Sequence, residues 1–148
     1  MYIKECLRDG KCYELPADYS WLDGSSLQMS QEQYFEVIRK KMPVVQRQKE
    51  LINRIYREEL PKEIQWGEPF ENWRFMINVD DRDKVLEAIF NNDLFAGTNF
   101  PSVAWMFKKQ YAPNAEEEAK HIINLFNDHR VNEAFAHKIC KVINETLK

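Results

Sequence analysis

The chain has 148 residues, a formal net charge of −3 and a sequence pI near 5.7. Its content of 44% hydrophobic, 13% aromatic and 30% charged residues is that of a water-soluble globule, which excludes wholesale disorder and collagen-like structure. The near-neutral balance argues against a nucleic-acid-binding or membrane-surface protein, because both classes need a large excess of Lys and Arg.

Hydropathy and cysteine usage bear on the compartment. No stretch approaches the roughly 20 apolar residues of a membrane-spanning helix, and charge appears at Lys4, before any hydrophobic block. The three cysteines, Cys6, Cys12 and Cys140, form neither a paired zinc pattern nor a dense disulfide framework. We therefore expect reduced thiols and a cytoplasmic protein.

The first 29 residues differ from the rest of the chain. Residues 1–29 contain Gly10, Pro16 and Gly24 and show no sustained period, which predicts an irregular N-terminal arm. Residues 30–148 carry periodic apolar patterns and are predicted to form one domain.

A long helix is predicted directly after the arm. Ser30 and Gln33 form a capping-box signature, and apolar residues then recur at helical spacing as far as Leu60 and Pro61. Pro43 lies inside this pattern, so a bend or an interruption is expected there. Glu36 with Lys40 and Glu50 with Arg54 stand four residues apart, in a helix with seven basic and five acidic side chains. This pattern favours a solvated, self-paired face over a nucleic-acid groove.

The middle of the chain predicts two strands and a helix. Residues 73–79 alternate between apolar and polar, which indicates a strand with one face against a core. Asp80 and Asp81 are candidate caps for a short helix that ends at residues 91–93. Residues 94–100 then predict a second strand.

The last third of the chain is expected to close the domain. Residues 115–120 indicate a turn or two of helix, whereas the apolar run at residues 122–126 fits a helix or a strand equally well. Asp128 is the expected cap of a final helix. The buried stripe of that helix is predicted to consist of Val131, Phe135, Ile139, Val142, Ile143 and Leu147. The sum is an α+β fold with a long N-terminal helix and a small, mostly antiparallel three-stranded sheet packed against helices.

Two groups of side chains suggest chemistry. His137 and Cys140 stand three apart on the final helix, as a base and a thiolate would, but no orienting third group accompanies them. His121, Asp128 and His129 are potential metal ligands whose spacing matches no common zinc set. The ordinary interpretation, a core helix and surface polar residues, is favoured for both groups. No catalytic residue and no metal site is assigned.

Three further patterns are weighed in the same way. Asp80, Asp81 and Asp83 lack the glycine and distal glutamate of a calcium-binding EF-hand loop, so helix capping explains them better. The four glycines are too far apart to form a phosphate-binding loop. The loop segment at residues 105–107, Trp-Met-Phe, either anchors a loop to the core or presents a contact surface, with anchoring favoured.

Several motifs, in order over nearly the whole chain, resemble one family. They are LRDG at residues 7–10, a Gly24 to Ser30 stretch that enters the helix, YREEL at residues 56–60, RFMINVDDRDKVLEAI at residues 74–89, AGTNFP at residues 96–101 and AEEEAKHIINLF at residues 115–126. On these motifs the chain resembles the C-terminal, small domain of PLP-dependent sugar-nucleotide aminotransferases of the DegT/DnrJ/StrS type.

The resemblance implies a domain without its own cofactor lysine. In that family the Schiff-base lysine and the aspartate that binds the pyridine nitrogen belong to the large domain, and PLP chemistry needs both. The loop that faces a partner's PLP phosphate corresponds to Ser26 and Gln28, where the family usually has Asn or Arg. The substrate-side His-Tyr-Pro corresponds to Asn99, Phe100 and Pro101.

The resemblance sets the functional expectation. The chain is expected to be a non-catalytic, stand-alone small domain that forms a homodimer or completes a separately encoded large domain, through its arm and long helix. PLP is expected only where such a large domain supplies it. The alternative is a repurposed protein-interaction module with no link to PLP chemistry. No nucleic-acid or membrane partner is expected.

Overall fold

A computed structural model of the chain describes residues 29–98 and 112–148. Four α-helices and three strands lie in these two ranges, and two short 3₁₀ turns, Lys62–Ile64 and Glu68–Phe70, connect the first helix to the first strand. In chain order the elements are α1 (Gln31–Glu59), β1 (Phe75–Asn78), α2 (Arg82–Asn91), β2 (Gly97–Thr98), α3 (Pro113–His121), β3 (Ile122–Leu125) and α4 (Glu133–Thr146).

The expected long helix is present and begins at the expected capping box. Ser30 Oγ accepts a hydrogen bond from the Gln33 backbone N–H at 3.2 Å, and Gln33 Oε1 accepts one from the Ser30 N–H at 2.8 Å. The helix continues through Pro43, so the alternative of an interruption there was wrong. Proline removes only the bond to the Arg39 carbonyl, and water can reach that exposed turn.

The sheet is antiparallel throughout, and its strand order is β1-β3-β2. Ile77 pairs with Ile123 on one side of β3, and Thr98 pairs with Ile123 on the other. β1 and β2 are therefore parallel to each other, with β3 inserted between them, which is the split βαβ arrangement. The predicted α+β class, with a small antiparallel sheet of three strands beside helices, is confirmed.

The ambiguous run at residues 122–126 contains the central strand. All four residues of β3 are buried, so the run has no polar alternation that would separate strand from helix. β1 has one buried face, which Phe75 and Ile77 form, as its alternation predicted. Trp73 was expected on that buried face, but it lies before the strand begins and is 58% exposed.

The core lies between the sheet and the helices. The carboxyl-terminal half of α1 packs on α4, and α4 also packs on α2. Tyr56 of α1 is fully buried; its ring lies 5.2 Å from that of Phe75, and its hydroxyl donates to the Phe126 carbonyl at 2.8 Å. This bond joins α1 to the residue that follows β3.

The helix caps agree with the prediction in one case and differ in the other. Asp81 caps α2 by accepting from the Lys84 N–H at 3.1 Å, as expected. Asp128 does not cap α4; the cap is Asn132, which accepts from the Phe135 N–H at 2.8 Å. The reason is that Asp128 binds two arginines instead. A strand was predicted at residues 94–100. Within the described ranges, only β2 (Gly97–Thr98) joins the sheet from that segment.

The Tyr56 hydroxyl gives a stability test. Tyr56→Phe leaves the partly buried Phe126 carbonyl without its donor, so the free energy of unfolding is expected to fall by about 1 kcal/mol. Tyr34→Phe makes the same chemical change at an exposed position of the same helix and is expected to change stability by less than about 0.5 kcal/mol. Urea titrations of both variants measure the difference, and equal midpoints would refute the role of the hydroxyl.

Candidate interaction surface

The first 17 residues of α1, which we call the amino half (residues 31–47), lie outside the core. Ile38 is half-buried and every other side chain there is exposed. Burial in this helix starts at Ile52. At about 1.5 Å per residue, the amino half extends for about 25 Å.

Apolar side chains line one face of this amino half. Tyr34, Ile38 and Val45 follow the spacing of three and four residues that continues into the buried Ile52 and Tyr56. The face that enters the core in one half of α1 is therefore exposed in the other half. We call Tyr34, Ile38, Lys41 and Val45, with the flanking Phe35, Val37 and Met42, the amino-half stripe.

The exposed fractions show how much apolar surface the stripe presents. Tyr34 is 55% exposed, Val45 51%, and Phe35 and Met42 47% each. A shallow groove runs between Val37, Ile38, Lys41, Met42 and Val45. Contiguous exposed apolar surface of this kind is typical of an interaction site, whereas scattered apolar residues are ordinary.

Ion pairs along α1 differ in detail from the expected pairs. Glu36 binds Arg39 at 3.0 Å rather than Lys40, and Glu50 binds Arg57 rather than Arg54. Arg57 is oriented by Glu71 as well, so it lies within reach of Glu50. The expected pattern of pairing within the helix face is present, but with these other partners.

A buried polar junction fixes α1 to the body. Glu71 binds Arg57, and its backbone carbonyl accepts from Asn127 at 2.9 Å and from Asn53 at 3.4 Å. Asn127 also donates to the Asn53 side-chain oxygen at 2.7 Å. Burial raises the pKa of Glu71, and Arg57 opposes this by favouring the ionised carboxylate. The junction determines the direction of α1, and hence that of the amino half.

A second cluster combines cations with aromatic rings near the base of the amino half. The Arg74 guanidinium lies 4.2 Å from the Phe126 ring centroid, and the Arg130 guanidinium lies 5.0 Å from it. Asp128 binds both arginines, at 3.1 Å and 2.5 Å. The hydrogen bond from Arg130, with added attraction from Arg74, holds the pKa of Asp128 far below its usual range. This cluster was not predicted, because Arg74 is more than 50 residues away in sequence from Asp128.

The candidate thiol and base, for which the sequence favoured an ordinary core helix, do not form a catalytic pair. His137 Nδ1 lies 2.5 Å from a Glu59 carboxylate oxygen, on the outside of α4. Cys140 is completely buried, and burial, with a smaller contribution from Glu59, raises its pKa to about 12. The thiol therefore stays protonated near neutral pH, which makes it a core residue.

The suggested metal ligands are not brought together either. His121 Nδ1 lies 3.1 Å from the Val79 carbonyl oxygen and His121 Nε2 lies 3.5 Å from Glu117, whereas Asp128 binds arginines. Within residues 29–98 and 112–148, no group of three or more His, Cys, Asp or Glu side chains has the geometry to hold a metal ion.

The residues assigned from the family resemblance lie outside the described ranges. They are Ser26 and Gln28 of the arm, and Asn99, Phe100 and Pro101 after β2. The Trp-Met-Phe segment at residues 105–107, which was predicted to anchor a loop, also lies outside these ranges. Their predicted roles stay predictions. No helix in the described part is long and apolar enough to cross a membrane.

The Asp128 cluster gives a pH-dependent prediction. The pKa of the Asp128 carboxyl in the folded state lies below its ordinary value of 3.8. The ionised carboxylate therefore stabilises the folded state fully above about pH 4, and this contribution is lost as the pH falls further. Asp128→Asn is expected to cost about 1 to 3 kcal/mol at pH 7, and its deficit relative to the wild type is expected to shrink below pH 4. Urea titrations at several pH values measure it.

Asp93→Asn is the matched control for this substitution. Asp93 is exposed and has a φ of 57°, a conformation that Asn adopts as readily. It is expected to change stability by less than about 0.5 kcal/mol. A deficit for Asp128→Asn that is independent of pH would contradict the role given to the ionised carboxylate.

Comparison with known proteins found no family model and no curated protein that matches the chain.

Proposed function

We propose that the chain is a non-catalytic interaction module that uses the amino-half stripe to bind a partner. In line with the resemblance, it acts as a C-terminal domain like that of PLP-dependent sugar aminotransferases. Its role is dimerisation or the completion of a large domain. The observation that carries the proposal is the exposed stripe, which continues the buried face of the same helix.

The energetics of burial support a binding role. Fully burying one Leu-sized or Phe-sized side chain contributes about 1.5 to 3 kcal/mol, so the half-exposed stripe residues would each contribute about half of that to an interface. An amphipathic helix that lays one face into an apolar groove is a common recognition mode, with anchors at three- and four-residue spacing. Tyr34, Ile38 and Val45 provide such anchors.

Lys49 is a candidate for an imine-forming lysine, but its contacts indicate a structural role. Burial, with repulsion from Arg74, lowers the pKa of Lys49, and a neutral amine is what an imine with PLP requires. However, Lys49 Nζ donates to the backbone carbonyls of Asn72 and Trp73, which makes it a link between α1 and the turn before β1. Under the proposal, PLP enters only with the large domain of a partner.

A repurposed interaction module without any link to PLP is the second candidate. The same stripe supports it, since the stripe sets no chemical requirement for a cofactor. The odd number of cysteines and the buried free thiol of Cys140 support a reducing, cytoplasmic location under either candidate.

The stripe is tested by a charge placed on it. Ile38→Glu is expected to weaken binding to the partner by at least about tenfold, because about 1.4 kcal/mol of lost burial and desolvated charge gives that factor. Lys40→Glu introduces the same residue on the opposite face of the amino half and is expected to leave affinity unchanged. Sedimentation velocity over a concentration series measures self-association, and titration of a captured polypeptide measures binding to a large domain.

Three outcomes separate the candidates. Self-association, or capture of a PLP-binding polypeptide, that Ile38→Glu abolishes and Lys40→Glu retains supports the proposal. Stripe-dependent capture of a defined polypeptide without PLP favours the second candidate. A strictly monomeric chain that binds neither, or equal effects of the two variants, refutes both.

A separate experiment tests the proposal that the chain is non-catalytic. Incubation of the full chain with PLP, followed by borohydride reduction and peptide mapping, is expected to leave no single lysine stoichiometrically labelled. Lys49→Arg is the informative variant, since it keeps the charge and removes the amine whose pKa is lowered. Stoichiometric labelling of the wild type that this variant abolishes would overturn the non-catalytic assignment.

A further inference from the structure

The amino half has the residue spacing of a coiled-coil seam. Intervals of four, three and four residues, the spacing of the a and d positions of a heptad repeat, separate its central residues, which are Tyr34, Ile38, Lys41 and Val45. The flanking e and g positions are apolar as well, and they hold Phe35, Val37, Met42 and Val44. Such a seam is normally buried against a second helix, yet within the described ranges burial of α1 begins only at Ile52.

The seam is complementary to itself when two copies of α1 run antiparallel. In that orientation an a position of one helix faces a d position of the other. One alignment, centred between residues 39 and 40, brings stripe residues of the two copies opposite one another: Tyr34 with Val45, Phe35 with Met42, Val37 with Val44, and Ile38 with Lys41. The contact is two-fold symmetric, so each of these pairings occurs twice.

The length of the exposed helix fits the antiparallel orientation. About this centre, Gln31 of one copy reaches the level of Gln48 of the other, just before burial of α1 begins at Ile52. The two bodies then lie at opposite ends of the pair. In a parallel pair, Ile52 and Tyr56 of both copies would lie at the same level, on the face that already binds the sheet and α4. A parallel pair therefore requires two bodies in one place.

The apolar area of the seam is sufficient for an interface. Its roughly half-exposed apolar side chains leave up to about 600 Å² accessible on each copy. Two copies would thus bury about 1,200 Å² in total, which is the lower end of the range for specific protein interfaces. We therefore expect a reversible dimer.

Lys41 carries the charge within the seam and limits the assembly to two helices. A single polar residue in an apolar seam specifies register and oligomer state at a cost in stability. In a two-helix pair, the methylene groups of Lys41 can cover Ile38 of the second copy while the ammonium reaches solvent at the rim. A larger bundle would enclose the ammonium, and a desolvated, unpaired charge is costly.

We infer that the partner of the amino-half stripe is a second copy of this chain, paired antiparallel through α1 about a two-fold axis between residues 39 and 40. This inference rests on the proposed function, because it uses the same stripe, and it adds the identity of the partner and the geometry of the contact.

Cross-linking between two cysteine variants tests the geometry in the full chain. Tyr34→Cys and Val45→Cys are made separately in a Cys6→Ser, Cys12→Ser background, in which Cys140 is buried, and are then mixed. A short bis-maleimide is expected to join position 34 of one chain to position 45 of another. Equal positions lie about 17 Å apart along the axis of the antiparallel pair. The mixed product is expected to exceed either same-position product at least tenfold, which corresponds to about 1.4 kcal/mol of preferred contact.

Lys40→Cys, on the opposite face of the amino half, is the matched control and is expected to link to neither position. Predominantly mixed links support the inference. An excess of same-position links overturns it in favour of a parallel pair, and yields no higher than those of Lys40→Cys overturn it in favour of a different partner. Neither of these two results affects binding that Ile38→Glu abolishes, so failure of the inference is distinguishable from failure of the proposed function.

The place of Lys41 in the seam has its own pair of variants. Lys41→Leu is expected to tighten self-association about tenfold and to produce species larger than a dimer, because leucine can be buried entirely. Lys40→Leu makes the same change on the opposite face and is expected to alter neither affinity nor size. Sedimentation velocity over a concentration series measures both, and equal effects of the two variants would refute the role of Lys41.

Discussion

The structure depends on one asymmetry in α1: a single apolar face runs the length of the helix, but the core covers only part of it. Ile52, Ile55 and Tyr56 are buried against the sheet and α4, whereas the same face at Tyr34 and Val45 is exposed. The hydrophobic effect favours covering such a face, and helix propensity alone is weak support for a helix end. The proposal that a partner covers the stripe follows from this imbalance.

Polar contacts between residues distant in sequence fix the orientation of α1, and with it the position of the amino-half stripe. The junction of Glu71 with Arg57, Asn53 and Asn127 fixes α1 on the body, and Lys49 binds the carbonyls of the turn before β1. A buried pair of this kind contributes more to geometry than to net stability, because desolvation offsets most of the attraction. The amino half is therefore presented by a rigid base.

The sequence predicted those elements correctly whose formation depends on a short local pattern. The capping box at Ser30, the alternation before Asp80 and the cap at Asp81 all depend on residues within a few positions. β3 was ambiguous because a strand buried throughout has no alternation. Asp128 was misassigned because one arginine that binds it, Arg74, comes from the distant segment just before β1. The apolar residues of the amino half were read correctly as one helix face, but nothing in their spacing showed that the core ends before reaching them. Exposure of the stripe is a tertiary property.

Hydroxyl-radical footprinting of the full chain tests the central claim most directly. Phe35 on the stripe and Phe90 on α2 are the same residue type, with exposed fractions of 47% and 49% in the folded domain. If a partner or a second copy covers the stripe, Phe35 is modified several-fold more slowly than Phe90. Equal rates at all protein concentrations, with and without the partner, would contradict the account.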